Sequence, residues 1–319
     1  MWSPARPLVH SITITNNIRK SIGYSPSASP SSIPSDSPSA STSPSSTPSD
    51  FPSACPSADD VPACEVESVE LNTANFCSGN TDAATGGSGT YPTNTLFKLN
   101  GDVECINGGF LLYGDDNVLD CGGNSISYVG GVDMFIGGGV RVGGSNVFVK
   151  DCVITGGWAF GIQAIEMDRP WSNLSVERTR VSGASQSGIT LDGSTGSTAV
   201  ITGSQFNDGN FGISVGSNIV TYISDSETND NDFIGVFVTG VSSDASDGTK
   251  AIVTRHKSMR NGRGFSLAFG SPSARVRDSI NCDNTSEDFG TTLSFATFDY
   301  ANIGVTCDQA QFCDCSCDS

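Results

Sequence analysis

Positive charge is scarce in this chain of 319 residues: 16 Lys and Arg stand against 34 Asp and Glu, a formal net charge of -18. An excess of that sign excludes a generic binder of nucleic acid or of anionic membrane, and it repels polyuronates unless divalent cations or a local basic patch intervene. Nowhere do about 18 apolar residues follow one another, so no transmembrane helix is expected. Met1 to Lys20 shows no apolar core of signal-peptide length, because Pro7 to Thr15 is short and is interrupted by His10 and Ser11. The polar carboxy-terminus excludes a lipid-anchor signal.

Cysteine, by contrast, is plentiful. Eleven residues, Cys55, Cys64, Cys77, Cys105, Cys121, Cys152, Cys282, Cys307, Cys313, Cys315 and Cys317, are many for a reduced cytosol. They imply an oxidising compartment, so a secreted or cell-wall location is expected. Two sequons, Asn173-Leu174-Ser175 and Asn284-Thr285-Ser286, agree and make Asn173 and Asn284 candidate glycosylation sites. Between Tyr24 and Pro62 the composition turns to Ser and Pro, with prolines four residues apart at Pro26, Pro30, Pro34 and Pro38 and again from Pro44 to Pro56. Such a segment cannot build a core and favours an extended, disordered spacer.

From Asn117 to Leu293 one phrase returns: a glycine, a β-branched or aromatic residue, any residue, then an apolar one. It starts at Gly139, Gly161, Gly188, Gly212, Gly235 and Gly264, spaced 22, 27, 24, 23 and 29 residues apart. The alternation inside the phrase has the strand period, and the repeat length means stacked units. A second strand precedes each phrase, so two strands and two turns are expected per rung. Its apolar residues, Val149, Val176, Ile201, Ile223, Val253 and Val276, form the predicted inward ladder. Two residues further on the column reads Asp151, Arg178, Gly203, Asp225, Arg255 and Asp278, a near-alternation of sign that suits neighbouring parallel strands.

The entry Val118-Leu119-Asp120-Cys121-Gly122-Gly123-Asn124-Ser125-Ile126, followed by the glycine phrases and by Asn146-Val147-Phe148-Val149-Lys150-Asp151-Cys152, resembles the right-handed parallel β-helix superfamily of pectate lyases, polygalacturonases, alginate epimerases and phage tailspikes. The Ser-Pro tract resembles the stalks of wall-associated algal proteins, diatoms included. The resemblance implies an all-β fold, a right-handed parallel β-helix solenoid preceded by a disordered Ser/Pro-rich segment. The chain divides into an unassigned segment 1–23, a linker or stalk 24–62, an irregular Cys-rich cap 63–95, the solenoid 96–308 and a Cys-rich tail 309–319. Cys121 and Cys152 lie at nearby positions on consecutive rungs and are the expected disulfide.

Function on a solenoid belongs to its longer turns, since the rungs are occupied with packing. Asp208, Asp230 and Asp232 come from consecutive turns and could gather around calcium, the one cofactor the sequence suggests. These are also residues that tight turns demand. A cationic band that includes Arg260 and Arg263 could clamp the carboxylates or sulfates of a glycan. Trp158 and the long turn with Glu166, Asp168 and Trp171 offer ring stacking beside carboxylates.

The catalytic signatures of the resembling enzymes are missing. The Gly-His-Gly and Arg-Ile-Lys of polygalacturonases, the Arg-x-Pro-x-x-Arg of pectate lyases and the Asp-Pro-His of epimerases do not occur, and the histidines number two, His10 and His256. The expectation is a monomeric, secreted or wall-associated protein contacting acidic polysaccharide or another cell-wall glycan. One alternative is a calcium-assisted lyase or epimerase using Asp208, Asp230, Asp232 and His256. The other is a rigid adhesin or spacer with no small site.

Overall fold

Each turn of the chain lays down three short parallel strands where the sequence predicts two. The computed structural model describes residues 67–77, 91–106, 108–130, 137–166, 170–240, 248–268, 272–291 and 297–301. The Ser/Pro-rich segment, the tail 309–319 and Asp168 lie outside them. One turn serves as an example: Ile219–Ser224 belongs to sheet A, Glu227–Asn229 to sheet B and Ile234–Thr239 to sheet C. Every pairing with the next turn is parallel and in register, as in Ile223 with Val253, Glu227 with Lys257 and Val236 with Phe265. Sheet B has 8 strands, while A and C merge into one sheet of 17 through the long strand Gly138–Lys150, which pairs in both.

The extra strand exists because the backbone turns sharply at both of its ends. Asp151, Arg178, Gly203, Asp225, Arg255 and Asp278, with φ between 45° and 59°, bend the chain from sheet A into sheet B. Gly183, Asp208, Asp230, Arg260 and Asp283, with φ between 55° and 74°, end sheet B. Asp and Gly tolerate this left-handed region, whereas Arg seldom visits it. In both columns the arginine is held by the aspartate one turn earlier. Arg178 grips Asp151 at 2.7 and 2.8 Å, Arg255 grips Asp225 at 2.6 Å through two bonds, and Arg260 grips Asp230 likewise.

The interior is a set of columns. Val149, Val176, Ile201, Ile223, Val253 and Val276 are all buried, as the sequence ladder predicts. The glycine of the repeated phrase is dictated by the turn above it. A Cβ on Gly161, Gly188, Gly212 or Gly235 would lie 2.6, 2.7, 2.6 or 2.8 Å from the carbonyl oxygen of the next glycine in the column. No residue with a side chain fits there without shifting the backbone.

Sheet B's inward column changes character along the solenoid. Ile126, Ile154, Val181 and Phe206 give way to Thr228, Ser258 and Asn281, all buried. Buried polar groups need partners, and neighbouring columns help to supply them. Thr179, Ser204, Ser226, His256 and Ser279 stack at the first corner, where a hydroxyl accepts the backbone N–H of the previous turn, as between Ser204 Oγ and Thr179 at 3.1 Å. Asn231, Asn261 and Asn284 stack at the second, each Oδ1 accepting the preceding turn's backbone N–H.

The amino-terminal end is closed earlier than the predicted start at Leu96. Strand Glu67–Leu71 pairs with Thr95–Leu99, and the short helix Thr73–Phe76 follows it. Phe76 stacks on Phe110 at 5.0 Å, with Phe97 edge-on at 5.2 Å, so aromatic rings plug the open core. Disulfide Cys77–Cys105 tethers this plug, and Cys121–Cys152 links the turns beyond it, with Cα atoms 4.8 Å apart. Cys282 is buried.

Candidate functional site

The outward residue of sheet C is the one the repeated phrase leaves open. Its column runs Arg141, Gln163, Thr190, Ser214, Phe237 and Ser266, one residue per turn in strict register. At about 4.8 Å per turn it extends roughly 24 Å. Although it faces outward, this row is partly covered: Arg141, Gln163, Thr190, Ser214 and Phe237 are half-buried and Ser266 is 1% exposed. The hydroxyls of Thr190 and Ser266 sit buried with no hydrogen-bond partner. Gln163 accepts the N–H of Gly138 through Oε1 at 3.1 Å.

An aromatic platform lies on the same face. Phe211, at the start of its strand, stacks on Phe237 at 5.3 Å with an interplanar angle of 29° and on Phe233 at 6.0 Å and 26°. Phe233 is 57% exposed and is held at the turn by its N–H donating to Asn210 O. At the far edge of sheet C, Asp192 stands in register with Ile165. Burial raises its carboxyl above the usual range, against the bond its Oδ1 accepts from Ser217 N–H at 3.2 Å. Glu166, exposed on the neighbouring turn, donates its backbone N–H to Asp192 O at 2.9 Å.

The residues singled out by sequence are distributed differently. Asp208 and Asp230 follow one another in a left-handed column and Asp232 lies outside it; among the described residues no three His, Cys, Asp or Glu side chains gather in a metal-holding group. Asp230 is engaged by Arg260 through two hydrogen bonds of 2.6 Å, both side chains staying partly exposed. His256 is no surface base. It is 1% exposed, packs edge-on against Phe265 at 5.6 Å and meets Thr228 Oγ1 through Nε2 at 3.0 Å. Burial pulls its pKa down to about 3.

Neither tryptophan is a stacking platform. Trp158 is buried against Tyr128, and Trp171 is buried with its indole N–H donating to Asp192 O at 2.8 Å. Arg263 flanks the platform, in register with Ile234. Asn284 is partly exposed and uses its amide N–H groups on Asn281 Oδ1 and Ser258 O. Asn173 is exposed, although its amide donates to Asn146.

Residues 98–247 match the family model described as the right handed beta helix region. The solenoid is a right-handed β-helix. No curated protein matches the chain. Among solved structures, the β-helix is similar to the Streptococcus pneumoniae surface protein and adhesin PfbA, at 9% identity and a TM-score of 0.36 over 65% of this chain and 68% of that one. It is also similar to the catalytic domain of a GH87 alpha-1,3-glucanase in complex with nigerose, at 10% identity and a TM-score of 0.24 over 76% and 69% of the two chains. At these values neither bears on the ligand.

Chemically, the outer face of sheet C offers the β-helix two things in one row. Flat ring faces suit the C–H side of a sugar, and hydroxyl and amide groups can donate and accept in turn. Phe211, Phe233 and Phe237 are only weakly marked by the sequence, where the acidic turns and the tryptophans carry the stronger pattern. The signal was present in the variable slot of the phrase, where Phe237 breaks a series of polar residues.

Proposed function

We propose that this is an extracellular or cell-wall-associated β-helix that contacts polysaccharide along the outer face of sheet C. The observation that carries the reading is the stacked trio Phe211, Phe233 and Phe237, exposed at Phe233, on a face whose outward row carries the partly exposed Gln163 and Ser214. Exposed rings beside amide and hydroxyl side chains suit a polyhydroxylated chain, whose C–H faces pack on the rings. The two disulfides support an oxidising location. Among the described residues no helix is long and apolar enough to cross a membrane.

Binding of the full chain to an array of plant, algal and microbial polysaccharides tests this. Wild type should be retained by at least one polymer and Phe233→Ala should lose most of that retention. Equal retention of the two proteins, or none by either, would sink the reading.

One observation favours a second, catalytic reading of the same face: half-buried Asp192 carries a raised pKa and is joined through the backbone to Glu166. Glycoside hydrolysis uses two carboxyl groups, one of them with its pKa raised by its surroundings. New reducing ends from the retained polymer, abolished by Asp192→Asn, would establish it; their absence with every retained polymer would dismiss it.

A further inference from the structure

We infer that the ligand of sheet C's outer face is an uncharged glycan, not the acidic polymer that the composition of the basic turns suggests. This inference rests on the reading above and narrows it. Between Gln163 and Ser266 the outward column holds Gln163, Thr190, Ser214, Phe237 and Ser266, without a charged side chain in five successive turns. Arg141 and Arg263 flank it, but so do Asp192 and Glu166. A polyanion would find no net positive field there, and the chain as a whole carries -18.

Four of the cations that could have supplied such a field are committed elsewhere. Arg178, Arg255 and Arg260 each give two guanidinium bonds to Asp151, Asp225 and Asp230, and Lys150 lies 3.0 Å from Asp120. All four sit on sheet A or at the ends of sheet B. A bidentate arginine already facing a carboxylate gives up that pairing before it can take another.

The reachable members of the row are neutral as well. The hydroxyls of Thr190 and Ser266 are enclosed, whereas Ser214 is partly exposed and its hydroxyl can both donate and accept, as a sugar hydroxyl does. Gln163 adds an amide whose Oε1 is held by Gly138, which fixes the orientation of the whole group. A chain of hydroxyl-bearing rings with its apolar faces on Phe233 and Phe237 therefore completes this row better than any charged polymer.

Affinity electrophoresis of the full chain separates the cases, with gels containing neutral polymers (a glucan, a mannan, a galactan, a xylan) or acidic ones (a pectate, an alginate, a sulfated galactan). Retardation by a neutral polymer, unchanged by added salt, is the expected result. Phe233→Ala should weaken that retardation about tenfold while leaving the protein folded, since it removes an exposed ring. Retardation by acidic polymers equal to or greater than by neutral ones, relieved by salt, would overturn the inference while leaving the polysaccharide reading intact. Undiminished retardation of Phe233→Ala, or no retardation in any gel, would remove both.

Discussion

The corners of sheet B and the outer face of sheet C are built from the same repeat, yet they are finished in opposite ways. At the corners, polar and charged residues answer one another from turn to turn: Asp225 with Arg255, Asp230 with Arg260, Asn231 with Asn261 and Asn284. Single atoms are left unpaired in both places, His256 Nδ1 at a corner and the hydroxyls of Thr190 and Ser266 on sheet C, but on sheet C the outward row runs without cross-turn ion pairs and an aromatic platform stands partly in solvent. Charge and hydrogen-bonding capacity on a repeat protein therefore point to a ligand only where the neighbouring turns do not already consume them.

The contrast breaks most visibly at Asn261. This buried side chain donates to Thr228 O, Ser258 Oγ and Asn284 Oδ1 and accepts from Asn231. Asn261→Ala should cost about 3 kcal/mol in urea unfolding, because several buried partners are orphaned together. Whatever remains folded should retain its glycan affinity.

His256 is the next largest lever. Its pKa falls from 6.5 to about 3 on folding, through burial. Between those values the unfolded chain binds a proton that the folded chain refuses, so acid favours unfolding there. Stability should drop by up to about 1.4 kcal/mol per pH unit as pH falls below 6.5, with no contribution above it. Urea midpoints measured across this range should show the slope flatten in His256→Ser.

On sheet C the expected sign reverses. Thr190→Val and Ser266→Ala each remove a buried unpaired hydroxyl, so both should raise stability by about 1 kcal/mol without lowering glycan retention. Phe233→Ala should do the reverse, and full retention by that variant would return this face to the same class as the corners. The smallest effect belongs to the exposed charge column. Asp225→Arg places like charges side by side with Arg255 and should lower the melting temperature slightly, by an amount that salt erases.

Much of this fold was legible because the glycine column and the inward valines are imposed by close packing, which leaves few alternatives. Gly188 cannot be anything larger beneath Gly212 O, and Val176 cannot be polar. The third strand was not legible. It is three residues long, as in Glu227–Asn229, with one inward position that is Thr in one turn and Phe in another. The site was obscured for a related reason. Asp208, Asp230 and Asp232 looked like ligands because turns and metal sites favour the same residue type, and Trp158 and Trp171 looked like platforms because sequence carries no information on which way a turn folds its ring. The outward slot of sheet C carries Thr, Ser and Gln, which any sheet surface could bear, and its meaning depends on which hydroxyls find partners.

The shift in sheet B's inward column from Ile154 and Phe206 to Thr228, Ser258 and Asn281 gives the solenoid a direction of failure. Its first turns are pinned by two disulfides and an aromatic plug, whereas the later ones depend on hydrogen bonds that water can replace once a turn lifts. In a structure where each turn rests only on its neighbours, heat, acid or pulling should peel the molecule from the carboxy-terminal side, and amide exchange should slow steadily toward Cys105. Under tension the solenoid would then lengthen one turn at a time, releasing the turn of Ser266 and that of Phe237 before those of Thr190 and Gln163.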